Sequence, residues 1–127
     1  MIKERYCSFE VAKLLKEKGF DGEVRAYYMF DNETKESELI LDDRLDTPNL
    51  WGDDYCAAPT HQMAMDWLRE VHNIFIEISV DAILKDEGYQ WALYYNSTKE
   101  IRPYFGWEDS YEETIEAALK YCLTKLI

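Results

Sequence analysis

The sequence predicts an α+β domain in which three helices pack on a mostly antiparallel sheet, with a C-terminal part ordered helix, strand, strand, strand, helix. Three observations lead there. Apolar residues recur at the helical repeat in three stretches, each opened by a capping residue. Short runs between them alternate apolar and polar residues. The connecting segments carry the Gly, Asn, Asp and Pro that turns favour. At 127 residues the chain is near the commonest size for one domain, so residues 1–127 are expected to form a single α+β unit. A subdivision into helix plus hairpin (1–56) and helix, three strands, helix (57–127) stays open.

The first helix is expected from Ser8, an N-cap, to Gly19, at the place of a left-handed C-terminal residue, with Val11, Leu14 and Leu15 on its apolar face. The aromatic run Val24 to Phe30, the polar turn Asp31 to Glu36 and Leu39-Ile40-Leu41 read as a hairpin. Between Asp42 and Pro59 periodicity fails amid Pro48, Gly52 and five Asp residues, which predicts a surface loop. A second helix opens at Thr60, carries Met63, Ala64, Trp67, Leu68 and Val71 on one side, and ends near His72-Asn73.

Ile74, Ile76, Ile78 and Val80 alternate with Phe75, Glu77, Ser79 and Asp81, the pattern of a strand with one buried face. A turn at Lys85 to Gly88 precedes a strand from Tyr89 to Tyr95. After another turn, Asn96 to Glu100, the residues Ile101, Pro103, Phe105 and Trp107 suggest a third strand, at an edge because Pro103 has no N–H to donate. In the last helix Ser110 and Glu113 form a capping-box pair, and Tyr111, Ile115, Ala118, Leu119, Cys122, Leu123 and Leu126 trace one stripe. Leu14-Leu15-Lys16-Glu17 and Trp67-Leu68-Arg69-Glu70 each close a helix before a strand, a faint internal repeat.

Three segments carry a resemblance: Cys7 to Phe20, Ala58 to Glu70, and Tyr111 to Leu123. Together they resemble a family of small uncharacterised proteins encoded by gut Bacteroidetes and by their phages and prophages. The resemblance implies a phage or mobile-element context and no chemistry, so it carries over no site residue.

Charge and composition narrow the functions. With 26 acids against 14 bases, a net charge of -12, the chain repels the phosphate backbone, so nucleic-acid binding and anionic membranes are disfavoured. No apolar run reaches the roughly 20 residues that span a bilayer. The N-terminus has no export pattern, and three cysteines, Cys7, Cys56 and Cys122, form no framework of disulfides; both features suit the cytoplasm. His61 and His72 lie about 16 Å apart on one helix, too far to share an ion. Cys56 and His61 match no zinc spacing, and the loop acids lack a calcium loop's alternation. With no phosphate loop or nucleophile elbow present, no residue is assigned a catalytic, cofactor-binding or metal-binding role, and no cofactor is expected.

The aromatics exceed what one small core needs, and exposed Tyr and Trp are typical interface anchors. The expectation is therefore a non-catalytic interaction protein, with Trp51, Tyr55, Asp53, Asp54, Tyr104 and Trp107 as candidate contact residues. Its partner is an unknown protein, a host protein in the phage setting, and a homo-oligomer is compatible with the sequence. In its extreme form the acidic surface mimics nucleic-acid phosphates. The alternative is a nucleic-acid module of double-stranded-RNA-binding or integrase-arm type, which share the C-terminal element order, with Arg69, Lys99 and Arg102 on phosphates. A small thiol or metal enzyme using Cys56 with His61 ranks below both.

Overall fold

The computed structural model describes residues 4–80, 88–95, 99–101 and 108–127. Its element order is α1 (Phe9–Glu17), β1 (Val24–Asp31), β2 (Glu36–Asp46), a 3-10 turn (Pro48–Leu50), β3 (Tyr55–Ala57), α2 (His61–His72), β4 (Ile74–Val80), β5 (Tyr89–Tyr95), β6 (Lys99–Ile101) and α3 (Tyr111–Tyr121). A single π-type turn, Cys122–Leu126, ends α3. The α+β class and the antiparallel pairing agree with the sequence. Whether the two halves share one sheet is open in the sequence; among the described residues six strands form two three-stranded antiparallel sheets, ordered β2-β1-β3 and β4-β5-β6. The chain accordingly divides into two compact units, Met1–Met63 and Ala64–Ile127.

In the first unit, Ser8 Oγ accepts from Val11 N at 3.2 Å, satisfying one of the free donors at the start of α1. Lys18 closes the helix and Gly19 follows at φ 90°. Val11, Ala12 and Leu15 are buried, with Ala12 where Leu14 was expected. The hairpin turns through Asp31, whose carboxylate accepts from Glu33 N at 2.8 Å while its carbonyl accepts from Lys35 N at 2.8 Å. Lys35 sits in the left-handed region at φ 62°.

Part of the segment expected as a loop joins the sheet. β2 continues to Asp46, which pairs Val24 across a bulge that takes in Asp42 to Leu45, and Tyr55 to Ala57 pair with β1 as β3. Pro48, Cys56, Ala57, Ala58 and Pro59 are buried. Asn49 ties the loop down, donating to Phe20 O at 2.9 Å and accepting from Ala57 N at 2.7 Å. The segment before α1 is fixed by Cys7 N to Pro59 O and by Tyr28 Oη to Cys7 O, at 2.9 and 2.7 Å.

The second unit has β5 at its centre, and Trp91, Ala92 and Leu93 are all buried there, on both faces of the sheet. Ile74 is fully buried, but Val80 at the far end of β4 is 63% exposed, so the alternation holds at one end only. Thr60 Oγ1 caps α2 through Met63 N at 3.2 Å, and Asn73 closes it at φ 55°. Val71, expected on the apolar side, is 60% exposed, whereas Ala64 and Leu68 are buried. Ser110 Oγ accepts from Glu113 N at 3.1 Å, and Ile115, Ala118, Leu119, Cys122 and Leu123 form the buried stripe of α3. Trp91 meets Tyr121 of α3 at 5.3 Å between ring centroids. Lys99 and Glu100, expected in a turn, belong to β6; the rest of the expected strand, Arg102 to Trp107, and the turn residues Lys85 to Glu87 lie outside the described residues.

Both units run helix then three strands, yet the first strand is central in one and the second in the other. The short helix-end match in the sequence therefore corresponds to no repeated strand order.

Candidate contact surface

Residues on the two sides of the first sheet follow from its register. Cross-strand partners share a side and neighbours along a strand alternate. Tyr28 meets Phe9 of α1 at 5.4 Å, and Phe30 stacks on the same ring at 5.4 Å, so Ala26, Tyr28 and Phe30 face α1. Tyr27 and Met29 then point to the opposite, outer side, with their partners Ile40, Glu38, Ala57 and Tyr55. The loop between β2 and β3 returns on this side and adds Trp51.

Tyr27, Trp51 and Tyr55 form a triangle of ring contacts, 5.0 Å for Tyr27 with Trp51, 5.6 Å for Trp51 with Tyr55 and 6.0 Å for Tyr27 with Tyr55. Edge-to-face geometry lets each ring edge meet a negative face, which fixes the rings without burying them. Trp51 remains 41% exposed, and Met29, which pairs Tyr55, 40%. Lys16 holds the loop from the other direction, donating from Nζ to the carbonyls of Gly52 and Tyr55 at 2.5 and 2.6 Å. The exposed Trp51 ring and the partly buried Tyr27 and Tyr55 thus stand on a fixed backbone.

Beside them a groove of about 760 Å³ runs along the hairpin tip, between Met29, Tyr55 and the turn. Asp31, Glu33, Glu36, Glu38 and Asp54 line it and no base does. Asn32 Nδ2 donates to Asp54 Oδ1 at 3.2 Å, and Phe30 N to Asp54 O at 2.8 Å, which fixes the loop against the hairpin. Residues 31–54 carry nine acids against two bases, so more than half of the chain's net charge of -12 sits on this hairpin and loop.

Four of the six residues chosen from sequence are described. Trp51 and Tyr55 come into contact, Asp53 and Asp54 are exposed beside them, and Tyr104 and Trp107 lie outside the described residues. Sequence reasoning missed Met29, Glu36 and Glu38. The alternation of Tyr27 and Met29 against Tyr28 and Phe30 could have placed Met29 with Tyr55's side, but Glu36 and Glu38 join it only through the hairpin register.

The other candidate chemistries find different surroundings. Cys56 is buried, and burial pushes its thiol up to about 11 although Lys16 and Lys13 pull the other way. Cys122 is pushed up to about 12 by burial. A thiol held neutral in this way is a poor nucleophile at pH 7. Among the described residues no group of three or more His, Cys, Asp and Glu is placed to hold a metal ion. Of the proposed phosphate contacts, Arg69 is engaged by Asp66 at 3.2 Å and Glu70 at 3.7 Å, and Arg102 lies outside the described residues. In the base-rich stretch of α1, Lys13 lies over the Phe9 ring at 5.2 Å and Lys16 holds the loop. Among the described residues no helix is long and apolar enough to cross a membrane.

The chain matches no family profile, no curated protein and no solved structure.

Proposed function

We propose that this protein is a non-catalytic interaction protein whose contact surface is the outer side of its first sheet, with Trp51 and Tyr55 as anchors and Asp53, Asp54 and the hairpin acids as the charged rim. The observation that carries the reading is the juxtaposition of a fixed, half-exposed aromatic triangle with a groove lined by five carboxylates and no base. Protein interfaces combine a few aromatic anchors with a polar rim, and charge of one sign selects a partner of the other and speeds its approach. The partner is accordingly a protein with a basic surface. Tyr104 and Trp107 lie outside the described residues and carry no part of this reading.

A second form of the reading is favoured by the nine acids concentrated in residues 31–54. Carboxylates spaced on a fixed hairpin imitate a run of phosphates, and the partner would then be a nucleic-acid enzyme or regulator whose basic groove they fill. A phage or mobile-element origin and a cytoplasmic host target fit this form.

The test is an affinity pulldown from lysate of the source cells with wild type, Trp51→Ala and the Asp53→Asn, Asp54→Asn pair, at low and then high salt. The reading expects a basic protein that the wild type retains at low salt and releases as salt rises, and that neither variant retains. Retention that ignores Trp51→Ala and the acid substitutions overturns it. A nucleic-acid enzyme among the retained proteins, inhibited by the wild type alone, selects the second form.

A further inference from the structure

We propose that the free edge of β2 takes an extended, basic segment of the partner protein as an added strand; this deepens the reading above and rests on it. Backbone hydrogen bonds identify which groups point outward. Phe30 N donates to Asp54 O at 2.8 Å and Ala58 N to Ala26 O at 2.9 Å, so the even-numbered residues of β1 turn their peptide groups toward β3. Tyr27, Met29 and Asp31 then face β2, where they pair Ile40, Glu38 and Glu36. The residues between, Ser37, Leu39 and Leu41, direct their N–H and C=O groups away from β1. All three are exposed, and among the described residues no strand pairs with that edge.

The side chains around these groups define the occupant. Leu39 and Leu41 pair Tyr28 and Ala26 on the α1 side, yet they stay 38% and 65% exposed. On the outer side Glu36 and Glu38 belong to the acidic groove. A strand added here meets leucines on one side and carboxylates on the other, which suits a segment alternating apolar residues with Lys or Arg. A second copy of this chain fits worse, since each copy carries -12 and would bring its own acid-rich β2. Proteins protect edges with short strands, proline, lysine and other charges, or bulges. β2 has eleven residues and neither proline nor lysine, and its bulge over Asp42 to Leu45 leaves Glu36 to Leu41 as the regular, open part of the edge.

The test titrates the ¹⁵N-labelled full chain with a synthetic peptide of alternating lysine and valine, and separately with one of alternating glutamate and valine, at low salt. The basic peptide should shift the amides of Ser37, Leu39 and Leu41, and Leu39→Pro should weaken it about ten-fold, since proline removes one outward donor while leaving the β1 ladder intact. Glu36→Lys with Glu38→Lys should transfer the preference to the acidic peptide. If Leu39→Pro fails to fold, the basic peptide with every backbone nitrogen methylated replaces it and should not bind.

Shifts confined to Tyr27, Trp51 and Tyr55, undiminished by Leu39→Pro or by methylation, would place the peptide on the outer face and overturn strand addition while the contact-surface reading stands. The same holds if millimolar basic peptide moves no amide of β2 while the pulldown still depends on Trp51. A dimer dispersed by Leu39→Pro would overturn the basic occupant in favour of a second copy.

Discussion

All three thiols are buried, and in two of them burial outweighs every neighbour in setting the chemistry. Cys7 and Cys122 have no exposed surface and Cys56 almost none. Burial in an apolar setting disfavours the thiolate, which lifts Cys56 to about 11 and Cys122 to about 12 from an ordinary 9.0. At pH 8 the native protein should therefore exchange with an aromatic disulfide reagent far more slowly than the urea-unfolded chain, which exposes all three. The linkage has a definite sign. The folded state binds these protons more tightly than the unfolded one, so their contribution to stability is complete below pH 9 and is lost as pH rises through 11 and 12. Urea midpoints measured across that alkaline range should fall, and Cys122→Ala should flatten the fall.

Two glycines separate conformational strain from steric exclusion. Gly19 and Gly88 both hold positive φ, 90° and 85°. A Cβ on Gly19 would meet nothing within 4 Å, whereas one on Gly88 would collide with the backbone carbonyl of Glu108, which bonds Tyr89 N at 3.0 Å. Gly19→Ala should cost about 1 kcal/mol, the penalty of a left-handed alanine. Gly88→Ala should cost more, because the Tyr89 to Glu108 bridge must also open. Urea unfolding of the two variants checks the order.

Helices were legible because their signals are local. Ser8, Thr60 and Ser110 sit where each cap is needed and each accepts from the N–H three residues on. Ser110→Ala should cost about 1 kcal/mol in urea unfolding, the usual value of a lost N-cap. Strands fared less well for a physical reason. β3 is three residues long, too short to show alternation, and its existence depends on pairing with β1 almost thirty residues earlier. β2 beyond Leu41 reads as loop because Asp42, Asp43 and Asp46 are poor strand formers, yet Asp46 still pairs Val24 across the bulge. The division into two sheets is likewise a matter of long-range pairing that periodicity does not encode. Of the candidate surface, Trp51, Tyr55, Asp53 and Asp54 could be named from sequence, since they stand out in a short polar loop. Glu36 and Glu38 could not, because their side of the sheet is set by the four-residue turn between Asp31 and Glu36.

For the molecule as a whole, the distribution of charge matters more than its total. Nine acids against two bases in residues 31–54 create a one-sign field around the exposed Trp51 and its partly buried tyrosine neighbours on the first unit. Such a field is felt over about 10 Å at 0.1 M salt and over only about 3 Å at 1 M. Association with a basic partner should accordingly slow as salt rises, with dissociation changing less, because steering acts on encounter. Surface-binding kinetics at several ionic strengths would check this.

The most direct measurement is hydrogen–deuterium exchange on the complex with the protein recovered from the pulldown, compared with the free chain. The account predicts new protection in segments 27–31, 36–41 and 51–55, with little change in the second unit. Protection confined to residues 64–127, with the hairpin and the Trp51 loop unchanged, would contradict it.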